Sequence, residues 1–95
     1  DVMIAKNGVE ALALLKDAIP NVMLVDLEMP KMNGFELIKN IRNNPKTAHI
    51  AIIIISSRTA DKHRKIAKDL GVDIFLGKPY KEDDLLQHLS NFIQK

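Results

Sequence analysis

The sequence predicts an α/β domain with a doubly wound parallel sheet. Four short apolar runs rich in β-branched residues punctuate the chain: Val2–Ala5, Val22–Val25, Ile50–Ile55 and Val72–Leu76. Runs of this kind suit strands buried on both faces. Each is followed by a helical pattern, so strand and helix alternate four times, which implies right-handed crossovers and helices on both sheet faces. The 95 residues are 46% hydrophobic with only one Tyr and three Phe, enough for one aliphatic core.

Val9 to Ile19 sets Leu12, Leu15 and Ile19 on one helical face, and Pro20-Asn21 stops the pattern. Asn33 is placed to cap a helix carrying Phe35, Ile38 and Ile41, which ends before Asn44-Pro45. Asp61 to Leu70 is basic with a thin apolar edge at Ile66, Ala67 and Leu70, and Gly71 supplies its stop. The last helix carries Leu85, Leu86, Leu89, Phe92 and Ile93 at three- and four-residue spacing. No linker, low-complexity tract or long-period repeat interrupts the series. The chain opens with Asp and enters a strand at once, which reads as part of something longer.

A net charge of +2 argues for neither a nucleic-acid partner nor an anionic membrane surface. The absence of cysteine excludes disulfide and thiol chemistry. The longest aliphatic run, Ile50 to Ile55, is too short to span a bilayer, and no cleavable leader opens the chain, so a cytoplasmic, soluble domain is expected.

A parallel sheet of this class presents ligands at the carboxyl ends of its strands. Three polar residues fall there: Asp26 after the second strand, Ser56 after the third, and Lys78 after the fourth. Taken singly, Asp26 reads as a turn former, Ser56 as a capping hydroxyl and Lys78 as a solvated charge. Together, a carboxylate, a hydroxyl and an ammonium match the needs of phosphoryl transfer, in which the carboxylate is the nucleophile and the others hold phosphoryl oxygens.

These residues resemble the receiver domains of two-component response regulators over the whole chain. VDLEMPKMNGFELIKNIR is similar to the receiver phosphorylation segment, IIIISS to the strand with the switch hydroxyl, and LGVDIFLGKPY to the segment holding the family's lysine. The resemblance implies a flavodoxin-like receiver fold, with Asp26 as phosphoacceptor, Ser56 as the hydroxyl that bonds the phosphoryl group and Lys78 as the cation that neutralises it. It further implies an aromatic switch at Phe75, a cis peptide between Lys78 and Pro79, and a Mg2+ site using the Asp26 carboxylate and the Glu28 backbone carbonyl. Pro30 and Asn33-Gly34 then turn the chain sharply so that this carbonyl faces the metal. The implied partner is a histidine kinase or phosphotransfer domain. SSRTADKHRKIAKDLG and GKPYKEDDLLQHL also resemble receivers fused to chemosensory histidine kinases.

The family's first strand and helix, with the acidic pair that holds magnesium, have no counterpart in residues 1 to 95. That strand separates those matching Val2–Ala5 and Val22–Val25, so the expectation is that the strands cannot pair in the family's order unless the segment is present outside residues 1 to 95 or is supplied by another chain. Weak magnesium binding and dimerisation or strand exchange are expected in consequence. Asn33 replaces the family's frequent Asp, and Phe75 lacks a hydroxyl.

Two alternatives compete with a phosphoacceptor. A haloacid dehalogenase-like phosphatase also uses a strand-end Asp, a Ser and a Lys, but it wants Asp where Glu28 stands, and Asp83-Asp84 open a helix. An inactive receiver would serve only as an interaction module. His49, His63 and His88 lack metal-ligand spacing and read as surface or edge residues. Lys62, His63, Arg64, Lys65 and Lys68 read as a solvated helix face. Glu82, Asp83 and Asp84 offset the helix dipole at the start of the last helix.

Overall fold

The computed structural model describes residues 2–5, 7–28, 34–58 and 60–93. Its elements alternate as expected: β1 Val2–Ala5, α1 Gly8–Leu14, β2 Val22–Asp26, α2 Gly34–Asn43, β3 Ala51–Ser56, α3 Asp61–Asp69, β4 Ile74–Gly77 and α4 Glu82–Ile93. All neighbouring strands are parallel, in the order β1-β2-β3-β4. β1 pairs directly with β2, an order other than the family's: Val2 lies opposite Val22 and Ala5 opposite Val25. With no described strand between them, the backbone groups along that edge of β2 find their hydrogen-bond partners in β1.

The aliphatic runs are buried because helices cover both faces. Ile52, Ile53 and Ile54 are wholly inaccessible, and each such side chain contributes about 1.5–3 kcal/mol of transfer free energy. Alternate residues feed two clusters. Met23, Val25, Ile52 and Ile54 pack with Ala11 and Leu15 of the α1 segment, Leu37, Ile38 and Ile41 of α2, and Ala67 of α3. Val22, Leu24, Ile53 and Ile55 face Leu85, Leu89 and Phe92 of α4. Cover on this second face is thin at the β1 edge, where Val2 and Ile4 are 39% and 59% exposed.

Helix α1 starts at an Asn7 cap whose Oδ1 accepts the Val9 and Glu10 amides. It ends at Leu14 instead of Ile19: the Lys16 and Asp17 amides bond three residues back, to Ala13 and Leu14, tightening the last turn and leaving Ile19 exposed. Helix α3 stops as expected, with Gly71 at φ 83° in the left-handed region. Leu86 departs from the expected apolar stripe of α4 and is 54% exposed, because Leu85 and Leu89 already meet the sheet. The Asn33 cap lies outside the described residues. No helix among the described residues is long and apolar enough to cross a membrane.

The amino ends of β3 and β4 are joined by Arg42, at the C-terminal end of α2. Its guanidinium donates to the carbonyls of Ala48, Ile50 and Gly71 at 2.6–2.7 Å and reaches Asp73 Oδ2 at 3.4 Å. Asp73 in turn accepts the Ile52 amide at 2.8 Å.

Candidate functional site

At the opposite, carboxyl edge, Asp26 is the last residue of β2, so the apolar run behind it fixes its backbone while its side chain leaves the core. Lys78, 52 residues later, donates from Nζ to Asp26 Oδ2 at 3.0 Å. The other carboxylate oxygen, Oδ1, accepts the Glu28 amide at 3.0 Å, which orients the carboxylate. With side-chain exposures of 43% for Asp26 and 36% for Lys78, the pair faces solvent. The hydrogen bond from Lys78 to Asp26 raises the ammonium pKa, with the Asp26, Glu28 and Tyr80 charges adding to it against a desolvation that lowers it.

Ser56 ends β3 fully buried. Its Oγ accepts the Arg58 amide at 2.9 Å and its carbonyl accepts the Lys78 amide at 2.8 Å, so the strand that carries the hydroxyl also anchors the backbone of the lysine. The Lys78–Pro79 peptide is cis. Phe75 lies opposite Ile54 in the β3–β4 register, and Ser56 lies opposite Gly77, placing ring and hydroxyl on one sheet face. The Arg64 guanidinium covers the Phe75 ring at 4.9 Å from its centroid.

The structure therefore gathers Asp26, Ser56, Lys78 and Phe75 from three strands. Sequence reasoning missed the part played by the Glu28 side chain and by Ser57. Glu28 Oε1 accepts the Ser57 amide at 2.7 Å and also the Ser57 hydroxyl. Desolvation pushes the Glu28 pKa up, but hydrogen bonds from Ser57 and Ser56, with the Lys78 charge, prevail and hold it below its ordinary value. The only signal for this was the Ser-Ser doublet closing β3, and its partner could not be read from spacing. His63 departs from a plain surface residue: its Nδ1 is buried and has no hydrogen-bond partner among the described residues.

Among the described residues, no group of three or more His, Asp or Glu side chains could hold a metal ion.

A model of the response regulator receiver domain matches residues 1–90. The chain belongs to this family. It is a receiver domain of two-component signalling with a flavodoxin-like fold. Protein PilG of Pseudomonas aeruginosa is 33% identical over 86 residues, covering 90% of this chain and 64% of PilG. Sensor histidine kinase CheAY of Helicobacter pylori is 36% identical over 83 residues, covering 85% of this chain and 10% of that protein. The chain spans 40% of the CpxR homolog of Haemophilus influenzae, with 33% identity over 95 residues. Among solved structures, chemotaxis protein CheY4 of Vibrio cholerae matches with a TM-score of 0.82 and 31% identity, over 93% of this chain and 73% of that one. The receiver domain of sensor histidine kinase PA1611 from Pseudomonas aeruginosa, which holds a magnesium ion in its active-site cleft, shares the fold with a TM-score of 0.84 at 21% identity, over 100% of this chain and 78% of that one.

Proposed function

We propose that this receiver takes a phosphoryl group from the phosphohistidine of a histidine kinase or phosphotransfer domain onto Asp26. The observation that carries the reading is the convergence of Asp26 and Lys78 at 3.0 Å beside buried Ser56, from three separate strands. The exposed Asp26 carboxylate is the nucleophile, and Lys78 meets the charge that arrives. Phosphorylation adds about 1.5–2 negative charges, drawing on Ser56 and Lys78 and so shifting the β3–α3 turn and the Phe75 ring. The Asp26 carboxylate and the Glu28 backbone carbonyl would hold magnesium, which when bound would offset the negative charge of the phosphodonor oxygens. The reading extends to a cytoplasmic domain within a larger signalling protein, chemosensory kinases included, and to association with a second copy along the β1 edge, where Val2 and Ile4 are exposed.

The test is phosphorylation by a small-molecule donor with magnesium. One base-labile phosphoryl group is expected, absent from Asp26→Asn; labelling that persists in that variant refutes the assignment. Turnover separates the receiver from a phosphatase, since a receiver takes one group and stalls. The phosphatase is also disfavoured by the placement of Asp83 and Asp84 in the first turn of α4 and by the engagement of Glu28 with Ser57.

A further inference from the structure

A groove opens at the amino edge of the sheet, and phosphoryl transfer at Asp26 makes no use of it. Helix α1 ends at Leu14 and the Lys16 and Asp17 amides bond only three residues back, so the chain turns away before β2 and leaves Ile19 42% exposed. Between this segment and the C-terminal end of α2 lies a space of about 680 Å³, lined on its apolar side by Leu12, buried Leu15 and Ile19. Lys16 and Lys46 bring two cations to the lining, and Asn40 and Asn43 bring two carboxamides. Asp17 shares the lining, yet no ion pair among the described residues takes up either lysine. Asn40 Nδ2 donates to the Glu36 carbonyl at 3.0 Å, while its Oδ1 accepts from none of the described residues.

We propose that this groove docks an acidic, extended peptide segment of a partner protein, with apolar side chains seated on Leu12, Leu15 and Ile19. Carboxylates of the segment meet Lys16 and Lys46, and its backbone meets the Asn40 and Asn43 carboxamides, a side-chain type that offers both donors and an acceptor. The volume is that of a ligand site, but Lys16, Ile19, Asn40, Asn43 and Lys46 are all exposed, so the groove is an open trough. A small molecule seated there keeps much of its surface in water, whereas a peptide lying across the trough covers these side chains. Asp17 repels acidic residues at its own position, which directs the carboxylates toward the two lysines. Helices α1 and α2 end where the chain returns to begin β2 and β3, so the docked segment sits at the edge opposite Asp26. It leaves Asp26 open to a phosphodonor. The groove thus holds its partner whether or not Asp26 is phosphorylated, and it stands independently of the acceptor reading.

The experiment titrates the isotope-labelled protein with the acetylated peptide Glu-Asp-Leu-Glu-Ile-Asp-Glu and follows the backbone amide resonances. A Kd on the order of 0.1 mM is expected, with the largest shifts in residues 12–19 and 40–47. Replacing every acidic residue of the peptide by Lys, or both apolar residues by Gly, is expected to weaken binding about ten-fold or more. On the protein, Lys16→Glu together with Lys46→Glu should weaken the original peptide about ten-fold, and Asn43→Ala about two- to three-fold. These three side chains are exposed, so the core is left as it is. Raising the salt to about 0.5 M should weaken the peptide as well, by screening the lysines. Absence of shifts at millimolar peptide, shifts centred outside the two stretches, or equal affinity for the Lys-substituted peptide overturns the proposal. Octanoate binding at these residues where the peptide does not bind assigns the groove to a small amphiphile and also overturns it. Self-association that Lys16→Glu with Lys46→Glu abolishes gives the groove to a second copy of this chain and overturns it too.

Discussion

Removing Arg42 tests what holds the amino ends of β3 and β4 in register. In Arg42→Ala, the carbonyls of Ala48, Ile50 and Gly71 each lose a charged donor at 2.6–2.7 Å. A hydrogen bond to a charged group is worth about 1.5–3 kcal/mol, but water can replace part of it wherever the carbonyl is exposed. The Ile50 bond is part-buried and the other two are exposed, so one bond counts near its full value and two at a discount. The Asp73 contact is long, at 3.4 Å with the carboxylate 39% exposed, and contributes no more than about 1 kcal/mol. The expected cost is about 2–4 kcal/mol, a large share of the roughly 5–15 kcal/mol of a whole domain. Urea unfolding should show the midpoint falling by more than about 1 M with the slope unchanged. Arg42→Lys should recover less than half, because one nitrogen must replace two that reach carbonyls in different segments. A loss below about 0.5 kcal/mol in Arg42→Ala refutes the reasoning, since the carbonyls would then be satisfied without the guanidinium.

The other expectations concern the site. Gly34→Ala places a Cβ 2.6 Å from Leu27 Cδ2 and 3.1 Å from Leu27 Cα, so it should lower the melting temperature despite better helix propensity; a rise would show that the turn after Asp26 yields freely. Because Glu28 titrates below its ordinary 4.5, its bonds to Ser57 stabilise the fold fully above that value, and the stabilisation fades as pH falls through the lower folded-state pKa. Wild type and Ser57→Ala should therefore converge in stability on acidification, and a constant gap from neutral to acid pH would contradict this. Arg64→Met removes the cation over Phe75 and should change the balance of ring positions about two- to five-fold in the unmodified protein, read from the fluorine resonance of 4-fluorophenylalanine at Phe75; an unshifted resonance would separate Arg64 from the switch. Lys78→Met should still be phosphorylated at Asp26 but fail to transmit the change, while Ser56→Ala weakens it more mildly. A wild-type conformational response in both would remove these residues from the site.

Much of this domain was legible in local pattern. Apolar runs of four and six residues, Val22–Val25 and Ile50–Ile55, mark β2 and β3, and the placement of Asp26, Ser56 and Lys78 at strand ends follows from a parallel sheet, whose carboxyl ends share one edge. Gly71 announced the end of α3 because only glycine accepts its positive φ without strain. What stayed hidden depends on side chains meeting across distance in sequence. Arg42 reaches Gly71 over 29 residues, Glu28 meets Ser57 over the same separation, and Arg64 finds Phe75 across the gap between α3 and β4. The sequence did not state how β1 and β2 would pair. Tertiary structure joined them, because backbone amides and carbonyls pair with whatever parallel strand is present, and no side-chain pattern encodes that choice. Pattern thus determined the elements and the edge on which the chemistry lies. Only the packed chain decided strand order and which carboxylate the Ser57 donors hold, since both are settled by unmet hydrogen-bonding groups seeking partners in space.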